Sequence, residues 1–306
     1  MRALVATGDA DAPVALGDVD EPRPDPGEAV LAVEAVSLNR GECRRALAAA
    51  PGWVPGWDVA GRIVDPGRDG PPAGTRVVGL LREGGWAERV AVRADRLAPL
   101  PDEVPVTVAA TLPVAGLTAL LALRRGGGLL GRSVAVTGAT GGVGVAALQL
   151  ARGAGAHTTA VVSAPDRVDG LPEGVVDAVE VGLEEGGPPF DLVLDSVGGP
   201  LLAAALRRLA PGGRLVTYGS SSGARADVDV QDLYRRNRSA VEGFFLFDEM
   251  DADPPGGRHL ATLVDLVAAG RLRMAITAER PWTDAAATVR ALLDRRIPGK
   301  AVLTLS

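Results

Sequence analysis

Between Ser133 and Arg152 a short β-branched run, Ser133-Val-Ala-Val-Thr137, turns on Gly138-Ala-Thr-Gly-Gly-Val-Gly144 and continues as an alanine-rich stretch with helical spacing. A strand that turns on glycines into a helix leaves free backbone N–H groups at the helix start, where the partial positive charge favours a phosphate. Ala139, Gly141, Gly142 and Val143 form this turn, and alanine holds the first glycine position of the dinucleotide fingerprint, Ala139-x-Gly141-x-x-Gly144. Taken alone, such a turn can also be a purely structural connection. About 20 residues further on, where an acid would grip the ribose hydroxyls of NAD, the chain has Ser163, with Arg167 close behind. A hydroxyl and a guanidinium suit a 2′-phosphate, which a carboxylate would repel. Asp166 is the rival ribose acid, but it follows Pro165, where capping a short helix is its structural role. The charge argument favours NADPH.

Metal and disulfide chemistry have little to work with. Cys43 is the only cysteine, and His157 and His259 are the only histidines, one opening an expected strand and the other an expected helix. The net charge of −6 is dispersed, with no basic stripe of the kind nucleic acid requires. No apolar run approaches the ~20 residues of a membrane span, and Met1-Arg-Ala-Leu-Val-Ala-Thr7 has the pattern of a strand and not of a signal peptide. The expectation is a cytoplasmic protein whose partner is a small molecule.

The elements that must position these residues fall into two styles. Runs at Ala29–Val36, Asp58–Val64, Arg76–Leu80 and Trp86–Val92 are short and β-rich, separated by Pro/Gly/Asp clusters, which predicts a compact antiparallel domain with partly barrel-like closure. From about Thr107 the rhythm changes to helical spacing over Ala109–Arg124 and then to alternating strands and helices, the mark of βαβ units and a mainly parallel sheet. That sheet is expected to finish near Val241–Phe247. The tail predicts helices over His259–Ala269 and Thr283–Leu293 and a last strand, Ala301–Leu305, which is too little for a sheet of its own and must pack back on the first domain.

Several short motifs then occur in a recognisable order: Val36-Ser-Leu-Asn39, Pro55-Gly-Trp-Asp-Val-Ala-Gly61, Leu112-Pro-Val-Ala-Gly-Leu-Thr-Ala119, the glycine turn, Asp195-Ser-Val-Gly198, Tyr218-Gly-Ser-Ser-Ser-Gly223 and Gly299-Lys300. Through them the chain resembles, nearly end to end, the zinc-independent quinone oxidoreductase (zeta-crystallin-like) branch of the medium-chain dehydrogenase/reductase superfamily. The resemblance implies an α/β protein. A GroES-like β-rich catalytic domain would come from residues 1–115 and 247–306, and a Rossmann doubly wound parallel-sheet cofactor domain from residues 116–246. It also implies a cleft that holds NADPH and a homodimer formed through the edge of the cofactor-domain sheet.

The same resemblance assigns roles. Asn39 would offer its amide to negative charge growing on the acceptor, or hold a nicotinamide ribose hydroxyl; its residue-level alternative is a turn-stabilising asparagine before Arg40-Gly41. Thr118 would lie near the nicotinamide, against the alternative of a helix threonine bonded to its own backbone. Ser196, Gly219, Ser220, Phe245 and Leu246 would complete the cofactor contacts. Lys300 would reach the cofactor phosphates or a last helix turn. Trp57 and Phe244 would face the acceptor, although Phe244-Phe-Leu-Phe247 as a pattern is a buried strand end. Where zinc members of the superfamily bind their metal, this chain has Asn39 and Trp57, neither a zinc ligand. Without a Lewis acid the acceptor must take hydride readily, as a quinone or an α,β-unsaturated carbonyl does. Alternatives are an enoyl or carbonyl reductase of a biosynthetic intermediate and a non-catalytic NADPH-binding scaffold. Some members place a substrate-facing tyrosine shortly after the asparagine; Arg44 and Arg45 fill that place here, so solvent is expected to supply the proton.

Overall fold

The computed structural model describes residues 1–184, 186–252 and 256–305. The first elements along the chain are β1 (Arg2–Ala6), β2 (Val14–Asp18), β3 (Glu28–Leu38), α1 (Arg40–Ala48), β4 (Asp58–Asp65), β5 (Arg76–Leu80), β6 (Arg89–Arg93) and β7 (Leu97–Pro99). Next come α2 (Val106–Ala109), α3 (Leu117–Arg124), β8 (Ser133–Thr137), α4 (Gly142–Gly153), β9 (His157–Val162), β10 (Ala178–Val181), β11 (Phe190–Asp195), α5 (Gly199–Arg207) and β12 (Leu209–Thr217). The chain closes with α6 (Val230–Tyr234), β13 (Ala240–Gly243), α7 (Leu246–Ala252), α8 (Gly257–Ala268), β14 (Ile276–Pro281), α9 (Ala285–Leu293) and β15 (Lys300–Thr304).

Two compact units result, one from Met1–Leu117 with Met250–Ser306 and one from Thr118–Glu249. In the first, β3 pairs antiparallel with β4, β6 and β15, and the sheet runs β14-β15-β3-β4-β5-β7. Its long β3 is buried almost throughout because both faces are covered; Leu31, Val36 and Leu38 join Val59, Ile63 and Trp86 in one apolar cluster. The tail does return to this sheet. It does so with one strand more than the sequence predicted, since β14 lies parallel to β15. That strand, Ile276-Thr-Ala-Glu-Arg-Pro281, alternates weakly and carries two charges, so its pattern held no strand signal.

The second unit is a six-stranded, all-parallel sheet in the order β10-β9-β8-β11-β12-β13. Numbered from β8, this is the 3-2-1-4-5-6 order of the doubly wound dinucleotide fold, with its switch point between β8 and β11. Strands β8 and β11 are buried apolar runs, as a central parallel strand covered on both faces must be.

Two expectations fail locally. The helix expected over Ala109–Arg124 is broken into α2, a wide π-type turn over Leu112–Gly116, and α3. Pro113 brings no N–H to the ladder, and the amide of Val114 leaves it to donate to Asp58 Oδ1 at 2.9 Å. The run Val241–Phe247 is not one strand end: β13 stops at Gly243, Phe245 is exposed, and Leu246 and Phe247 begin α7.

Candidate active site

In the parallel unit the chain leaves β8 at Thr137 and enters α4 through Gly138–Gly141. Gly138 has φ +61°, a conformation that favours glycine, and a Cβ there would lie 2.5 Å from Ser196 Oγ. At Gly144 a Cβ would lie 2.5 Å from Gly138 O and 2.6 Å from Ala139 O, so only glycine lets the first turn of α4 sit this close to the loop. The amide of Val145 bonds Gly141 O at 2.9 Å. The amides of Gly142, Val143 and Gly144 precede the first helix bond and point along the axis, where helix polarity favours an anion. Ala139 is buried beneath this rim while Gly141, Gly142 and Val143 remain partly exposed.

Asp195, fully buried at the end of β11, ties this loop to its neighbours. Its Oδ1 accepts from Thr137 Oγ1 at 2.7 Å and from the amide of Val197 at 3.2 Å, and its Oδ2 from the amide of Gly198 at 3.0 Å and Thr217 Oγ1 at 3.3 Å. The carboxylate thus joins the carboxyl ends of β8, β11 and β12, the strand ends from which a doubly wound sheet presents its ligand. Ser196 is part of this scaffold: its amide donates to Thr137 Oγ1 and its hydroxyl to Thr137 O. Gly219 and Ser220 follow Tyr218 just past β12, and a Cβ on Gly219 would lie 3.0 Å from Ser196 O. Ser163 and Arg167 are both exposed just past β9.

The other unit contains a buried polar network that no spacing rule foretold. Glu42, three residues after the helix cap Asn39, accepts at Oε1 from the Asn39 amide (2.7 Å) and Asn39 Nδ2 (3.0 Å), and at Oε2 from the Trp57 amide (2.7 Å). Asn39 Nδ2 also donates to Asp58 Oδ2 at 2.8 Å. Lys300 Nζ donates to Asn39 Oδ1 at 2.7 Å and Leu38 O at 3.2 Å, and stands 3.5 Å from Asp58 Oδ2. Glu42 and Asp58 are fully buried and Lys300 is 3 % exposed. Two carboxyl groups and one ammonium therefore share a dry site that fixes the start of α1, the start of β4 and the end of β3.

Burial, with Asp58 beside it, pushes the Glu42 carboxyl up to about 8, and burial likewise raises Asp58. An acid whose folded pKa lies above its unfolded value binds more protons when folded, so it stabilises at low pH and that contribution is lost as pH rises. Unfolding free energy is expected to fall between pH 4.5, the ordinary glutamate value, and about 8. The slope should reach at most about 1.4 kcal/mol per pH unit for one proton. Urea midpoints over that range check it: Glu42→Gln should flatten the curve, and an unchanged slope would show that Glu42 does not titrate there.

Residues 25–102 match the alcohol dehydrogenase GroES-like domain family and residues 172–303 the zinc-binding dehydrogenase family. Over 298 residues the chain is 37 % identical to the spectinabilin polyketide synthase system protein NorB of Streptomyces orinoci, covering 92 % of this chain but only 13 % of NorB. A chloroplast envelope quinone oxidoreductase homolog of Arabidopsis thaliana is 29 % identical, covering 93 % of this chain and 92 % of the homolog. The crystal structure of the quinone oxidoreductase from Thermus thermophilus, also determined with NADPH, superimposes with a TM-score of 0.81 at 33 % identity, and all of both chains is covered. The chain belongs to the quinone oxidoreductase branch of the medium-chain dehydrogenase/reductase superfamily.

Three residues given roles from sequence sit in surroundings that bear on those roles. Lys300 does not reach out to cofactor phosphates or a helix end; it is an internal cation, because Asn39, Leu38 and Asp58 enclose its ammonium. Asn39 has no N–H left for a developing oxyanion, since both Nδ2 hydrogens are given to Glu42 and Asp58. What remains on Asn39 is acceptor capacity at Oδ1, which suits a ribose hydroxyl better than an oxyanion. Phe244 is buried and its amide donates to Thr217 O at 2.8 Å, whereas Phe245 is the exposed member of the aromatic run.

The remaining residues are placed as follows. Thr118 is 5 % exposed and its hydroxyl makes no hydrogen bond among the described residues, so it is not tied to its own helix. Trp57 is half-buried with its ring over the first turn of α1: a Cβ on Gly41 would lie 2.5 Å from it. Trp53 is held by Glu83 and by the Arg45 guanidinium above its ring, and Trp86 is core. Among the described residues no group of three or more His, Cys, Asp or Glu could hold a metal ion. Glu42, Asp58 and Lys300 were legible only as isolated residues; Glu42 three places after Asn39 was the one available signal, a capping box.

Proposed function

We propose that this protein is an NADPH-dependent reductase of quinones or α,β-unsaturated carbonyls that works without a metal. The observation that carries it is the rim of free amides at Gly142, Val143 and Gly144, set on a switch point that Asp195 makes rigid. These amides fit a pyrophosphate, and the crowding at Gly144 is what lets the backbone approach one so closely. Ser163 and Arg167, both exposed and without a carboxylate at the ribose position, suit the 2′-phosphate. NADPH supplies the hydride when bound. The acceptor must be electron-poor, because Asn39 has spent its donors and the zinc positions hold no ligand that could bring in a metal to polarise an unactivated ketone. Tyr218 keeps its phenol proton, as burial, with Asp195 nearby, raises its pKa. Water supplies the proton.

The test mixes protein, NADPH and, in turn, a quinone, an enone and a simple ketone, and follows the near-ultraviolet absorbance of the reduced cofactor. Turnover of the ketone alone would reverse the proposal, and tight NADPH binding with no oxidation by any acceptor would make the protein a scaffold. A reductase of a biosynthetic enoyl intermediate is the version of this reading that the match to NorB supports. The cofactor preference has its own check. Arg167→Ala should weaken NADPH by roughly tenfold and leave NADH nearly unchanged, as expected for one charge-assisted contact. Equal losses for both cofactors in a fluorescence titration would remove Arg167 from the phosphate site. The free edge of β13 fits the homodimer that family membership suggests, which light scattering can measure.

A further inference from the structure

Asn39 and Glu42 by themselves make an ordinary helix cap, since the Glu42 side chain takes the Asn39 amide three residues back. Two further charged groups converge on the same side chain from distant strands. Asp58, at the start of β4, accepts from Asn39 Nδ2 at 2.8 Å, and Lys300, at the start of β15, donates to Asn39 Oδ1 at 2.7 Å. The ladders put them there: Ser37 pairs with both Asp58 and Val302, so Asn39, Asp58 and Lys300 fall on one face of the sheet. A cap needs neither of them, and a buried lysine–carboxylate pair adds little stability over apolar residues filling the same space.

Together the buried groups fix one amide. Each of their side-chain oxygens, and the ammonium, is bonded inside the network. Glu42 Oε1 accepts from Asn39 twice and Oε2 from the Trp57 amide, Asp58 Oδ1 accepts from the Val114 amide, and Lys300 Nζ also donates to Leu38 O. Glu42, Asp58 and Lys300 are buried, and Asn39 alone of the four is partly exposed. Turning its amide over would set Oδ1 against two carboxyl groups and the N–H2 against an ammonium, at contacts of 2.7 to 3.0 Å. Three contacts would reverse sign at once, so the amide is held in a single orientation. That orientation leaves one lone pair on Oδ1 and no N–H to offer outward.

We propose that Glu42, Asp58 and Lys300 are positioning residues, which hold Asn39 Oδ1 as a fixed acceptor for a hydroxyl of the nicotinamide ribose of NADPH. This rests on the cofactor reading above and extends it to residues that never touch the cofactor. Lys300→Met alone would test stability as much as position. The working variant is Lys300→Met/Asp58→Asn, in which the ion pair is gone, the new amide keeps an oxygen for Val114, and only Glu42 is left to orient Asn39. Fluorescence titrations compare NADPH with 2′,5′-ADP, which has no nicotinamide ribose. The double variant is expected to bind NADPH roughly fivefold more weakly, the effect of one neutral hydrogen bond, and 2′,5′-ADP as the parent does. Asn39→Ala should show the same split, and adding the two network substitutions to it should cost nothing further. A merely structural role would let NADPH affinity recover together with the melting temperature. NADPH bound as by the parent in either variant, a loss shared by 2′,5′-ADP, or losses that add to that of Asn39→Ala would each overturn the proposal. An unaltered protein that binds no NADPH overturns the cofactor reading itself, a result unlike any of these.

Discussion

Lys300→Met is expected to cost about 3–5 kcal/mol of unfolding free energy, the loss typical of a buried ion pair deprived of one partner. The ammonium is the cation in a site that encloses two carboxyl groups, and it binds Asn39 Oδ1 and Leu38 O as well as facing Asp58. Methionine keeps most of the volume but leaves Asp58 either charged without a counter-ion or obliged to take up a proton. The deficit should therefore grow with pH. Against a total stability of about 5–15 kcal/mol, this would bring the unit that holds Lys300 close to unfolding at the alkaline end. Urea denaturation followed by circular dichroism measures it, and the double variant Lys300→Met/Asp58→Asn should recover a large part of the loss. A single variant within about 0.5 kcal/mol of the parent, the range of an ordinary surface change, would mean that the network is neutral without its lysine.

Gly144→Val should have the second large effect, and on a different quantity. The new Cβ would meet Gly138 O and Ala139 O at 2.5 and 2.6 Å, both backbone atoms that cannot rotate away. Either the first turn of α4 lifts from the loop or Gly138–Gly141 moves, and both displace the amides proposed to hold the pyrophosphate. Overpacking of this sort costs about 1–3 kcal/mol in stability. Shifting the amide rim should weaken NADPH by roughly a hundredfold, since about 1.4 kcal/mol corresponds to each factor of ten. The measurement is NADPH affinity by fluorescence, beside the melting temperature. A folded variant that binds NADPH as the parent does would dissociate the glycine turn from the cofactor.

Legibility differed between the two units for physical reasons. The parallel-sheet unit is built from local signals. A strand pattern, a glycine turn and a helix pattern follow one another within Ser133–Gly153, and the 3-2-1-4-5-6 order then follows from right-handed crossovers. Even there the aromatic run misled, because Phe244, Phe245 and Phe247 share one apolar character while a strand end and a helix start divide them. In the other unit the buried polar network depends on residues far apart in the chain. Lys300 meets Asn39 and Asp58 across 261 and 242 positions, and Asp58 takes the amide of Val114 across 56. No periodicity carries such information.

What the sequence determined by itself is a chain that alternates into a parallel sheet after about Thr107, a glycine turn able to take a phosphate, and the want of cysteine and histidine for a zinc centre. These follow from residue type and short spacing, which act through local backbone sterics and hydrogen bonding. Tertiary structure alone decided that Asn39 is a bound participant and not a free donor, and that Lys300 is an inner cation. Hydrogen bonds and charges act through space, so their partners are fixed only when the sheet brings β3, β4 and β15 side by side.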